Sequence, residues 1–304
     1  MSNAIQLESL ESVKTSMHSA SSNSRPFILT ALRRIGNGLR AHSSVSTTLA
    51  GLFTVVILIA SLFPSVVARK DPYATDPVHM FQAPSAEHWF GTDQLGRDLF
   101  SRTIYGAHAT VTASLLSLAI AVVGGLIIGI ASAYVGGIVD TVLMRSVDVL
   151  LSIPGLLLSI TIVTAIGFGT TPVAVAIGVA SLPGFARTTR AQTLKIKNHA
   201  YVEAAVVSGV SPLRIVFSHI LRNVLGPVSV LAMLEFGAVI MSVATLSFLG
   251  FGAKPPAAEW GSLINDGRNY LITSPWISLI PGFVVVLTVL SATVLANNLK
   301  RGER

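Results

Sequence analysis

Two long stretches of this chain, Thr103 to Val139 and Val149 to Ala186, contain no Asp, Glu, Lys or Arg. An apolar helix crosses the hydrocarbon core of a bilayer in about 20 residues, so the second stretch is too long for one crossing. It divides at "GFGTTP", Gly167 to Pro172, where the residues are those of a turn. Composition agrees with a membrane solvent: 51% of the residues are hydrophobic and 12% charged, against about 25% charged in soluble domains. Six crossings are predicted. They lie at Val45–Phe63 (closed by Pro64), near Ala107–Tyr134, two within Val149–Ala186, near Val224–Leu249 and near Trp276–Ala296. The fold class is an all-α polytopic membrane protein.

Residues 1–44 are polar and serine-rich and read as a disordered cytoplasmic tail. The first apolar run is read as an uncleaved signal anchor, being long and far from Met1. With the N-terminus inside, outer segments carry six basic residues: Arg69, Lys70, Arg97, Arg102, Lys254 and Arg268. Inner segments then hold the other fifteen of the 21. The positive-inside rule selects this orientation, with both termini cytoplasmic. The net charge of +7 is thus assigned to loops facing anionic lipid, and nucleic acid is not expected as a partner. The chain has no cysteine, which excludes disulfides, thiolate metal sites and a cysteine nucleophile.

No GxxxxGK[ST] phosphate loop, HExxH motif or EF-hand pattern occurs, so neither catalysis nor a resident cofactor or metal is expected of this chain. Small residues recur every fourth position in the second span at Ala113, Ser117, Ala121, Gly125, Gly129 and Ala133. That stripe lets another backbone approach, either within the bundle or across a subunit boundary. Pro154-Gly155 and Pro183-Gly184 are expected to kink their spans. His108 reads as an interfacial polar group. "GTDQLGRD" reads as an internally paired outer loop. Glu235, in "LAMLEFGAVI", is an acid inside a span. A charge there is costly unless it is paired, hydrated or neutralised, so Glu235 is either a site on a water-filled pathway or a polar group bonded at a helix interface.

The longest inner loop holds "YVEAAVVSGVSPLRIVFSHILRN", Tyr201 to Asn223. Asn198 is placed to cap a helix beginning at His199, Gly209 to end it in the left-handed region, and Ser211 to cap a second helix with Pro212 in its first turn. The first helix is too short to be stable alone in water, so something must hold it. Val202, Ala205, Val206 and Gly209 form an apolar edge, and Ala204 and Ala205 add little bulk. Such a helix fits a partner's groove or the membrane surface.

"EAAVVSG", followed by "HILRNVLGP", resembles the EAA loop of ABC importer permeases. "HWFGTDQLGRDLFSRTIYGA", "TLSFLGFGAKPPAAEWG" and "PWISLIPG" resemble blocks of the dipeptide/oligopeptide/nickel permease family, in the same order. Together they cover about residues 45–300, and the chain is most similar to the C-type permease subunit. Arg222 stands where the family usually has proline, and Ala244 where it often has an acid. The resemblance implies a type I ABC importer permease fold. The organisation it implies is a first helix at 45–63, an external loop at 64–106, a permease core at 107–298 with the EAA loop at 191–223, and a cytoplasmic end at 299–304. It implies import of di- or oligopeptides, with a nickel chelate or a glutathione-like solute as the alternative, and as partners a homologous permease subunit, two ATPase subunits and an external binding protein. ATP and Mg would bind on those partners. Tyr201, Glu203, Ala204, Ala205, Gly209 and Pro212 would couple to an ATPase. Without partners, the residues alone also allow a secondary transporter that uses Glu235.

Overall fold

The structure is a computed structural model and describes residues 45–302. The tail expected at 1–44 and the last two residues of the segment expected at 299–304 lie outside the described residues. The described chain is helical, with a single isolated bridge between Thr92 and Asp98. Helix α1 spans Val45–Leu62, α2 Leu99–Val135, α3 Gly137–Ser152, α4 Gly155–Ile166 and α5 Thr170–Lys197. Then follow α6, Ala200–Val207, α7, Pro212–Phe248, α8, Trp260–Gly267, and α9, Trp276–Gly302. By length and composition α1, α2, α7 and Trp276–Asn298 of α9 can each cross a membrane.

Helix α2 starts at Leu99, well before the expected Ala107, because Asp98 caps it: the carboxylate accepts the Ser101 N–H at 2.9 Å. Its small-residue stripe is buried along its length and packs inside the bundle against α5. Ser117 Oγ donates to the Ala174 carbonyl at 2.9 Å. Further along, Gly125 lies against Phe185 and Ala186, Gly129 against Ala186 and Thr189, and Lys197 Nζ donates to the Tyr134 carbonyl at 3.0 Å. The paired numbers rise together, so α2 and α5 run parallel. The connection α3–α4 therefore returns the chain from one end of the bundle to the other.

That connection holds the expected kink at Pro154-Gly155, here a complete break between two helices. Pro154 disfavours helical backbone at Ile153, which is extended (φ −94°, ψ 128°), and α3 stops at Ser152. Helices α3 and α4 meet at 97°. With 12 residues, α4 is about 18 Å long, short of a ~30 Å core. Helix α3 buries only Val147 and is held to α5 by charge. Arg190 makes a two-pronged pair with Asp140, both contacts 2.6 Å, and Arg187 reaches Asp148 at 2.6 Å. Asp140 also accepts from Ser132 Oγ of α2. Pro183, by contrast, lies inside an uninterrupted α5.

The opposite end of the bundle is closed by polar locks. In "GTDQLGRD" the Asp93 carboxylate accepts the N–H groups of Leu95 (2.9 Å) and Arg97 (3.0 Å) and the Arg97 Nε at 2.7 Å. Arg102, almost fully buried, lies 3.4 Å from the same carboxylate and donates to the carbonyls of Pro72 and Pro256 at 3.1 and 3.3 Å. The segment is internally paired, as its residues predicted. Glu259 is wholly buried. One carboxylate oxygen accepts from Ser247 Oγ at 2.7 Å and the other from the Ala253 N–H at 2.8 Å. Burial pushes this carboxyl above the usual carboxylate range, and those two hydrogen bonds oppose the shift. Beside it Trp260 Nε1 donates to the Thr103 carbonyl at 2.9 Å. His108 Nδ1 donates to the Ser61 carbonyl at 2.6 Å, joining α2 to the end of α1.

Candidate functional site in the inner loop

Helix α6 has eight residues, about 12 Å of helix. Its N-cap is His199, one residue later than expected, because Asn198 still closes α5 with its N–H on the Ile196 carbonyl. The His199 ring is committed as well, its Nδ1 donating to the Lys195 carbonyl at 2.8 Å. The other end matches the residues. Gly209 has φ +76°, its N–H donates to the Val206 carbonyl at 3.0 Å, and the Val210 N–H donates to that of Ala205 at 3.1 Å. This pair of bonds is a Schellman motif, which satisfies carbonyls that the helix end would otherwise strand. Ser211 and Pro212 open the next helix as expected, although the Ser211 side chain makes no capping bond.

The next helix leads into the long apolar span, as expected, and forms the first turns of α7. It passes through a π-helical segment, Val216–Leu221, and returns to α-helix at Arg222. Arg222, where the resemblance led proline to be expected, keeps a backbone N–H that donates to the Ile220 carbonyl. Its side chain is exposed.

What holds the short helix is the chain itself. Val202 is 2% exposed and packs with Ile130, Phe185, Ile196, Ile215, Ile220 and Val224, and Ala205 and Val210 lie against the same cluster. The apolar edge expected to face a partner is therefore split. Val202 and Ala205 point into this chain, while Val206 and Val207 are 57% and 88% exposed. Tyr201, Glu203, Ala204 and Ser208 share the outward side. Glu203, in the first turn, complements the positive helix end. Tyr201 stands between the His199 and His219 rings, with centroids 5.7 and 6.0 Å away, and its hydroxyl accepts from Asn223 Nδ2 at 3.2 Å. That contact joins α6 to α7.

Of the residues predicted to form the site, the fold brings Tyr201, Glu203, Ala204, Gly209 and Pro212 to one exposed surface, with Ala205 at its base. Glu235 lies elsewhere, exposed on α7. Leu213 and Phe217, 72% and 64% exposed on the first turns of α7, extend the surface and were not singled out in the sequence. Their exposure follows from the inward turn of Ile215 and Ile220, a helical spacing readable only once α7 is known to begin at Pro212. The arrangement offers a small raised helix with an apolar crown, a shape for docking rather than for chemistry.

Residues 125–304 match the family described as "binding-protein-dependent transport system inner membrane component". The chain belongs to this family. It is accordingly a multi-pass membrane permease of the ABC importer type and not an enzyme. Its relatives include a probable D,D-dipeptide transport system permease protein of Escherichia coli, 37% identical over 84% of this chain and 85% of that one. A dipeptide transport system permease protein of Alkalihalophilus pseudofirmus is 36% identical over 82% of each chain. A glutathione transport system permease protein of Pectobacterium atrosepticum is 35% identical over 86% of each. Among solved structures, an amino acid ABC transporter with histidines superposes with a TM-score of 0.51 at 18% identity, covering 66% of this chain and 94% of that one. This last likeness concerns the fold alone.

Proposed function

We propose that this permease imports di- or oligopeptides delivered by an external binding protein, forming the path with a homologous permease subunit and drawing on two ATPase subunits that bind ATP and Mg. The observation that carries the reading is the raised helix α6: it is seated on its own chain through Val202, locked by Gly209, and turns Tyr201, Glu203, Ala204, Val206 and Val207 outward. An ATPase groove receives that surface. ATP binding closes the ATPase pair, and α6 carries the motion through Tyr201 and the shared apolar cluster into α7 and α5. The two permease halves then rock between inward- and outward-open states, an equilibrium biased by the differential affinity of ATP for the closed pair. In this scheme α1, α2, the broken α3–α4 pair, α5, α7 and α9 make six crossings with both ends cytoplasmic, and Glu235 lies on the substrate path. Peptide is preferred as the solute because relatives over most of the chain's length are named for dipeptide transport. The glutathione permease relative supports a glutathione-like solute as the second reading.

Co-purification tests the coupling. Ala204 is exposed and Ala205 packs inward, so Ala204→Glu alters the docking surface without forcing a carboxylate into the apolar cluster. The ATPase pair is expected to come down with the wild-type chain and to be lost with Ala204→Glu while membrane insertion is normal. Retention of the pair with full uptake would refute the assignment.

A further inference from the structure

Glu235 is exposed on α7, and no hydrogen bond or ion pair joins it to any described residue. It lies about 16 Å along the helix from Val224 and about 20 Å from Phe248, near the middle of a ~30 Å hydrocarbon core. No Lys or Arg lies between Asn223 and Ala253, nor in the other apolar intervals. The chain therefore supplies no intramembrane counter-charge, and the reading of Glu235 as a group bonded at an internal helix interface is removed. Lipid does not accept an unpaired carboxylate at that depth without a large penalty, so this face of α7 meets water or protein.

The same face shows what it is made to meet. One and two helical turns outward from Glu235 stand Ala238, which is exposed, and Ser242, followed by Thr245. The Ser242 hydroxyl donates to the Ala238 carbonyl at 2.9 Å and the Thr245 hydroxyl to that of Met241 at 2.7 Å. Their protons are spent on the helix, and what they turn outward is lone pairs. The wall thus offers one carboxylate and hydroxyl oxygens, all acceptors, around the small Ala238. We propose that Glu235 receives the ammonium group of the solute in transit, the free N-terminus of a peptide, with Ser242 and Thr245 as further acceptors toward the outer end. The proposal rests on the reading of this chain as a peptide permease.

The test uses the assembled transporter with its partner subunits in proteoliposomes. Because the native chain has no cysteine, Glu235→Cys gives it a single thiol. A hydrophilic, membrane-impermeant methanethiosulfonate is expected to modify that thiol, read on this chain by mass. In parallel, Glu235→Gln is expected to lower uptake of a free-amine dipeptide about tenfold or more, the scale of a lost charged hydrogen bond, while Glu235→Asp retains most of it. An unreactive thiol, unaltered uptake in Glu235→Gln, or equal loss in Asp and Gln would overturn the proposal. Failure of the wild-type complex to import any peptide would instead overturn the reading beneath it.

Discussion

Gly209 allows the closure of α6 to be varied without a clash inside the chain. Its φ is +76°, and a Cβ built there meets no atom within 4 Å. The whole cost of a substitution is therefore backbone strain and not a clash. For alanine that cost is about 1–2 kcal/mol, for asparagine less, because its short polar side chain tolerates the left-handed region, and for β-branched valine more. About 1.4 kcal/mol is tenfold in an equilibrium, so Gly209→Ala is expected to lower the population of correctly closed α6 by roughly five- to thirty-fold. The eight-residue helix has little intrinsic stability with which to resist. Expression and insertion should be unchanged across the series. ATPase retention on purification, and uptake with it, should fall in the order Gly, Asn, Ala, Val. Equal loss for Asn and Ala, or no loss for Val, would refute the claim that the Schellman closure positions the docking helix.

Glu259→Gln should preserve the outer lock, since the amide oxygen can accept the Ala253 N–H while its NH2 donates to Ser247 Oγ. Glu259→Ala strands the Ala253 N–H and should cost about 1–3 kcal/mol or more in thermal unfolding of the purified protein. The Glu259 carboxyl is raised in the fold, so its stabilising contribution is full at acid pH and is lost as pH rises through that elevated value. The melting temperature of the wild type relative to Glu259→Gln should therefore decline from acid toward neutral pH. At the α2–α5 contact a Cβ on Gly129 would lie 2.6 Å from the Ala186 carbonyl oxygen, whereas one on Gly124 meets only the flexible end of Leu182. Gly129→Ala should lower the melting temperature clearly, by strain of about 1–3 kcal/mol, and Gly124→Ala much less.

Much of the molecule is legible in its residues because local chemistry decides it. Long apolar runs mark α1, α2, α7 and α9, and the fourfold stripe on α2 meets a helix. Gly209 and Pro212 stand where turn and helix-start chemistry require them. Other features depend on tertiary contacts that no short window carries. Pro154 announces a break, but the 97° bend is set by where Asp140 and Asp148 find Arg190 and Arg187. The π segment at Val216–Leu221 has no residue signature. Ala204 and Ala205 look alike in sequence, and only the cluster under Val202 makes one of them outward and the other part of the seat. Glu259 reads as an ordinary loop acid until Ser247 and the Ala253 N–H are seen to enclose it.

The central claim is that this permease moves solute only when ATPases act on its inner loop. The measurement that meets it most directly is peptide uptake into proteoliposomes holding the chain with its permease and ATPase partners, with binding protein outside and ATP inside. Uptake that requires both ATP and binding protein, and that vanishes with Ala204→Glu, is the predicted result. Uptake by this chain without ATPases, driven by an ion gradient, would contradict it.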